Sequence, residues 1–352
     1  MKKLFLSLAA LALIFTSCES DKNDMLQEQS KIDMSDFFVY TDSDNGEQSR
    51  NGFTPCHSMT NLNRLLEEDP GLYKKMYNIE YNTRKFATNA YRPGNGNGNG
   101  GGPGGGDGGG GGTPDDLGVI TIPVYVHVIY SNAQQNISST QINSQMSVLN
   151  DDFRAANNDV NQVPGEFAGL VADTEVQFSL AGTYRYPDDR GSWGTNDAMK
   201  AAYPPVTPET HLNIWVCNIG GGILGYAQFP GGPIASDGVV VSPQYFGTTG
   251  FVSAPFDGGR TLTHEVGHYL NLRHIWGDGR CNRDDFVSDT PTSDAPNYGC
   301  PSYPTVNCRS NDMTMNYMDY VNDDCMYMFS SGQKTRMRSV FQSGGPRAGM
   351  AN

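Results

Sequence analysis

Residues 264–274 read His-Glu-Val-Gly-His-Tyr-Leu-Asn-Leu-Arg-His. His264 and His268 stand four apart, so on a helix their imidazoles leave one face a turn apart and can grip one metal ion. Glu265 sits beside them, where a carboxylate can take a proton from a water activated by that ion. His274, six residues beyond His268, completes three protein ligands and leaves the fourth position open, which is the plan of a hydrolytic zinc centre. A bare HExxH string also arises on solvated helix faces, and the third histidine is what separates the two readings.

The stretch resembles the metzincin zinc-protease signature, in which a glycine three residues after the second histidine lets the chain turn sharply. Here Asn271 stands at that position. The turn needs a left-handed backbone, which glycine adopts freely and asparagine tolerates best among the others. Downstream lies Asn316-Tyr317-Met318-Asp319-Tyr320. The resemblance implies that Met318 forms an apolar floor beneath the ligands, a role whose packing is that of any core methionine. Tyr320 is placed to hydrogen-bond the oxyanion of the reaction, or else is a buried structural tyrosine.

Periodicity predicts the elements that must hold these residues. Strands are expected at 119–130, 176–186, 211–217, 224–229 and 238–242, where β-branched and aromatic residues gather. Ile142, Met146, Leu149 and Phe153 have helical spacing within 139–156, and further helices are expected at 260–272 and 332–341. With the metzincin resemblance, these elements imply an α+β, metzincin-like fold: a mixed five-stranded sheet with a backing helix and an active-site helix, plus a turn-rich, disulfide-stapled lower subdomain past His274. Gly220, Gly222 and Gly225 fit a dinucleotide fingerprint, but strand and turn residues follow them rather than a helix, so the phosphate-cradling context is missing.

Taken with the strand 212–216, Leu224-Gly225-Tyr226-Ala227, the Asp289-Thr290-Pro291 turn and the Met-x-Tyr turn, the zinc stretch resembles the pappalysin family over about residues 115–342 and, more weakly, 53–78. The resemblance implies a calcium-containing zinc endopeptidase acting on proteins or peptides. Calcium would fall in Asp284–Thr290, with Asp285 and Thr290 as ligands helped by backbone at Asp284 and Ser288; an Asp-rich solvated turn is the plain alternative. Cys281, Cys300, Cys308 and Cys325 permit three connectivities. The family pattern implies Cys281 with Cys308 and Cys300 with Cys325. The segment after the Met-turn would wall the pocket that receives the residue following the scissile bond, and the family places an aspartate there. Asp323 matches that position, so arginine, and less well lysine, is expected after the cut; a solvated turn residue or a calcium ligand is the other reading.

The chain of 352 residues begins with Lys2, Lys3 and an apolar run from Leu4 to Phe15, which is an export signal too short to span a bilayer. Thr16-Ser17-Cys18 resembles a lipobox with Cys18 lipidated, and simple secretion with cleavage near Ser17 is the alternative. The expected organisation is a signal peptide at 1–17, a lipid-anchored tether and pro-segment at 18–93, a Gly/Asn-rich linker at 94–113 and a zinc protease domain at 114–352. A net charge of −14 excludes a phosphate-binding surface and hence a nucleic-acid partner, and leaves a membrane partner only through the N-terminal lipid.

Within the pro-segment, Leu62, Leu65, Leu66, Leu72 and Met76 predict short helices over 61–77, broken at Asp69-Pro70, with too few apolar residues for their own core. Cys56 precedes them. As a thiolate it could fill the open zinc position and hold the enzyme latent until the segment is cut away, with a cut expected before Arg84 or Lys85. A disulfide to Cys217, or an uninvolved thiol, stands against this. Cys217 itself, on an apolar strand, reads as a buried free thiol. The rival to the whole reading is a surface-anchored metal-binding lipoprotein without catalytic activity, which gives Glu265 no task.

Overall fold

The computed structural model describes residues 32–40, 54–90 and 115–351. The signal peptide, Cys18 and the 94–113 linker lie outside the described residues. Met1–Phe37 and Phe38–Asn352 form two units. Of the first, residues 32–37 form a turn in which the Phe37 amide donates to the Met34 carbonyl. Among the described residues no helix is long and apolar enough to cross a membrane.

The second unit starts with strand β1 (Thr54–Cys56) and helices α1 (Ser58–Glu68) and α2 (Leu72–Ala90). The chain breaks at Asp69-Pro70 as expected, because proline cannot continue the hydrogen-bond ladder. The expected end near Tyr77 does not occur. α2 runs on through Arg84 and Lys85 because Glu80 and Thr83 give its later turns a buried face. An activating cut before either residue would therefore have to unwind a helix.

Strand β2 (Ile120–Tyr130) is the long interior strand next to one edge of the main sheet, parallel to the edge strand β3 (Val176–Pro187) on one side and to β4 (Leu212–Val216) on the other. Burial on both faces explains the run of Val126, Val128 and Ile129 in its second half, interrupted only by His127, which is buried with its Nε2 2.9 Å from the Asn213 side-chain oxygen. Helix α3 (Ser139–Phe153) backs the sheet with buried Ile142, Met146, Leu149 and Phe153, and its first turn is capped by the Ser138 side chain, which accepts from the Gln141 amide. A short helix α4 (Ala198–Ala202) precedes β4, and β5 (Ile223–Ala227) and β6 (Val239–Val241) follow.

The order is β1-β5-β6-β4-β2-β3, with β5 antiparallel to β6 and the other pairs parallel. This is the expected mixed sheet of five strands with one addition. β1, from ahead of the linker, pairs with the edge strand β5 in the register Cys56 to Gly225. Gly220 and Gly222, both at positive φ, make the tight turn into β5, so the glycine fingerprint has a strand behind it and no helix.

Beyond the sheet comes α5 (Arg260–Tyr269), which carries the zinc stretch, and then the turn-rich region with the strand pairs β7 (Tyr298–Gly299) with β10 (Tyr320–Val321) and β8 (Val306–Asn307) with β9 (Ser310–Asn311). Disulfides Cys281–Cys308 and Cys300–Cys325 staple it in the interleaved pairing that the family resemblance implies. Helix α6 (Ser331–Ser339) closes the fold behind a capping box made by Ser330 and Gln333. Cys300 and Cys325 are 25 residues apart, so replacing both by serine returns about 3 kcal/mol of loop entropy to the unfolded chain. Urea denaturation of that double variant should show a loss of this size.

Candidate active site

α5 ends at Tyr269, three residues short of the end expected from sequence. Leu270 caps it, and Asn271 turns left-handed at φ 77°. The Leu272 amide reaches back to the Gly267 carbonyl and the Asn271 amide to that of His268, each at 2.9 Å, which is a Schellman closure. The chain thereby reverses within three residues. His274 is brought back beside His264 and His268.

The three Nε2 atoms converge: His268 Nε2 lies 3.1 Å from those of both His264 and His274. Each ring is fixed by its other nitrogen. His264 Nδ1 donates to the Tyr317 carbonyl at 2.7 Å, His268 Nδ1 to the Leu272 carbonyl at 2.9 Å, and His274 Nδ1 to Asp278 Oδ1 at 2.5 Å. Protons on all three Nδ1 atoms leave three bare Nε2 lone pairs facing one centre. Burial, reinforced by the neighbouring imidazoles, lowers His264 to about 3 and His268 well below its ordinary value, so these rings are neutral. Neutral imidazoles are what a metal needs. With the Cys56 sulfur, the donor atoms lie within 4.8 Å of one another, a nitrogen and sulfur set suited to tetrahedral zinc.

Glu265 is fully buried beside this centre. Its Oε2 accepts from the Ser58 hydroxyl at 2.6 Å and from the Cys56 thiol at 3.5 Å, while Oε1 has no hydrogen-bond partner. Burial pushes its pKa up to about 8. The Ser58 hydroxyl in turn accepts from the Ala227 amide at 2.7 Å, so one side chain ahead of the linker bridges β5 to Glu265. Gly225 lets β5 pass this close, for a Cβ there would lie 3.0 Å from Glu265 Cγ and from the Val240 carbonyl. Burial and the Glu265 carboxylate push the Cys56 thiol well up. Cys56 and Cys217 are both buried and free, so the alternative disulfide between them is not formed.

Met318 is buried beneath α5, where its sulfur fills the space that a side chain at Gly267 would need. Tyr320 packs its ring 4.8 Å from His274 and 5.7 Å from His264, and Trp276 stacks on His274 at 4.3 Å. Asp323 shares a cavity beside His264 with Phe256, Thr261, Tyr320, Val321 and Met326. Its Oδ2 also accepts from the amides of Gly258 and Arg260, so it caps the first turn of α5, a task not foreseen from sequence. Asp285 and Thr290 come together, with the Thr290 hydroxyl 2.9 Å from both carboxylate oxygens and 2.8 Å from the Val287 carbonyl.

Sequence reasoning missed two residues. Ser58 gave no signal because its role exists only once β1 lies along β5. Asp278 stands four residues after His274, and acidic residues are common enough in turns that spacing alone did not mark it.

A mixed sheet over a helix whose two histidines are joined by a third through a tight turn, with a methionine-bearing turn below, defines a metal-dependent endopeptidase of the metzincin class. The family model for peptidase M43, described as Pregnancy-associated plasma protein-A, matches residues 207–342. An extracellular metalloprotease of Arthroderma otae is 32% identical over 241 residues, spanning 66% of this chain and 81% of that one. Extracellular metalloprotease 1 of Coccidioides posadasii is 33% identical over 238 residues, with 63% and 77% covered. Among solved structures, mature mirolysin of Tannerella forsythia in complex with a cleaved peptide is 43% identical with a TM-score of 0.64, covering 66% of this chain and 95% of that one. A promirolysin mutant from the same organism is 36% identical with a TM-score of 0.71, covering 84% and 96%. The chain belongs to the M43 peptidase family, and it is a metalloendopeptidase. The reading as a lipoprotein without activity falls away.

Carboxylate partners of metal-bound histidines typically change affinity ten- to a hundredfold. Asp278→Asn should weaken zinc binding by about that factor, measured by competition with a chromophoric chelator, while the far-ultraviolet circular dichroism stays unchanged.

Proposed function

We propose that the protein is an exported zinc endopeptidase made as a latent zymogen, with Glu265 as general base. The observation that carries the reading is the Glu265 carboxylate, fully buried beside three converging Nε2 atoms and with Oε1 unpartnered. His264, His268 and His274 would hold the ion. When bound, zinc supplies Lewis acidity, polarising the scissile carbonyl and making water acidic enough to be deprotonated at neutral pH. Glu265 Oε1 takes the proton of the attacking water and hands it to the leaving amine. The Tyr320 hydroxyl donates to the oxyanion as the carbonyl becomes tetrahedral. Glu265→Gln should lower kcat by about 100- to 10,000-fold without loss of bound zinc; a variant with full activity would remove Glu265 from this role.

Latency is supported by two contacts on the same two residues of β1 and α1. The Cys56 sulfur stands among the imidazoles, where it could be a fourth ligand, and the Ser58 hydroxyl donates to Glu265. One segment would thus engage both the metal, when bound, and the base. Cys56→Ala in the full chain should give activity before processing, and unchanged latency would count against the switch.

Asp323 would supply a preference for arginine after the scissile bond. Because its carboxylate also caps α5, Asp323→Asn is the cleaner variant, keeping an oxygen acceptor while removing the charge. A charge-assisted bond of about 1.5 to 3 kcal/mol corresponds to a ten- to hundredfold fall in kcat/KM for arginyl peptides. Equal turnover of arginyl and neutral peptides by the native enzyme would end this reading. The same preference points to the bond before Arg92, just past α2, as the activating cut, in place of Arg84 or Lys85 within the helix. Calcium at Asp285 and Thr290 suits a buried carboxylate and hydroxyl with a carbonyl close by. Export fits relatives named as extracellular enzymes, and lipidation at Cys18 is the form of export the sequence favours.

A further inference from the structure

Asn271 occupies a left-handed position that glycine would fill at lower cost, which asks what its side chain contributes. The Asn271 amide Nδ2 donates to the Thr83 hydroxyl on α2 at 3.3 Å. Thr83 lies 2.9 Å from the Ser339 hydroxyl, and Ser339 donates to the Arg336 carbonyl at 2.7 Å, so a chain of hydrogen bonds runs from the turn through α2 to α6.

Three residues before Thr83, on the same face of α2, Glu80 forms a two-bond ion pair with Arg336 at 3.2 and 2.6 Å. Both side chains are nearly inaccessible, at 3% and 4% exposure. Arg336 closes the circuit by donating Nε to the Asn271 carbonyl at 2.7 Å. On the next residues of the turn, Arg273 donates to the Phe38 carbonyl at 2.7 Å, its guanidinium 4.5 Å from the Phe38 ring and 4.8 Å from that of Phe286. The contacts of Glu80, Thr83 and Phe38 thus join residues ahead of the linker to the turn between the second and third histidines or to the helix behind it, while the Ser339–Arg336 and Arg336–Asn271 bonds tie that helix and turn together.

We infer that the segment ahead of the linker has a second docking site on the catalytic domain, separate from Cys56, in which the Asn271–Arg273 turn and Arg336 of α6 receive Glu80, Thr83 and Phe38. The site takes a helix that presents a carboxylate and, three residues later, a hydroxyl. Asparagine at position 271 serves two ends, since it adopts the left-handed turn and its amide reaches the segment, which glycine could not do. Losing the carboxylate strands a buried guanidinium, and an uncompensated buried charge is strongly unfavourable. Release of α2 is therefore coupled to the metal-bearing turn. This inference rests on the latency reading only for its consequence and not for the docking itself.

Amide hydrogen exchange by mass spectrometry on the full chain carrying Glu265→Ala, which stops self-cleavage, tests the docking. Glu80→Gln and Asn271→Gly should each raise exchange in residues 72–90 at least tenfold and leave 260–269 protected. Lys75→Ala, at an exposed contact, should leave both regions unchanged. Unaltered exchange of 72–90 in either test variant overturns the proposal, as does Asn271→Gly loosening 260–269 instead. In the chain with Glu265 intact, Glu80→Gln should shorten the time to full activity. Loosened α2 with an unchanged activation time would uphold the docking site and count against the latency reading.

Discussion

Three imidazoles can turn bare nitrogens toward one point only if each ring is held by its other nitrogen, because otherwise the rings rotate to relieve the crowding of their lone pairs. The fold meets that requirement from three directions. The Met-turn offers the Tyr317 carbonyl, the reversal after α5 offers that of Leu272, and the loop beyond His274 offers Asp278. Two acceptors are backbone and one is a side chain. The backbone acceptors survive any substitution that keeps the turns, whereas the third depends on one carboxylate.

The start of α5 is tied as firmly as its end. Asp323 binds its first amides, and Asp152 of α3 accepts from Thr263 and from the Tyr317 hydroxyl, each at 2.8 Å. Burial raises Asp152 to about 6. The same Tyr317 whose carbonyl orients His264 is thus anchored by its hydroxyl to the helix that backs the sheet. Sheet, helix and Met-turn form one rigid mounting for the donor atoms, in which a shift in any member would misdirect a ligand.

Much of this was legible in the sequence because the relevant signals are local. Histidine spacing on α5, the β-branched runs of β2 and β4 and the left-handed demand at Asn271 all depend on neighbours within a turn or two. The disulfide pairing came from family likeness, since spacing alone allows three. What could not be read depends on residues distant in the chain. Ser58 meets Glu265 across 207 positions and Glu80 meets Arg336 across 256. The later turns of α2 leave no mark in the sequence because their polar face is buried against an arginine, and burial of a charged residue gives no apolar periodicity to detect. The bonds that Asp323 accepts from the Gly258 and Arg260 amides exist only once the loop after the Met-turn lies at the start of α5, so spacing does not announce them.

β1 lies along the edge of the sheet through main-chain pairing to β5, contacts that any extended peptide could make with the same edge. What favours β1 over such a competitor is connectivity. While the chain from α2 to β2 is intact, β1 is held at an effective concentration on the order of millimolar, whatever the protein concentration outside. Cutting that connection changes none of the contacts and only makes the association bimolecular. The cleaved segment then departs according to dilution, so an enzyme released into a large volume sheds its occupant more completely than one kept crowded at a surface.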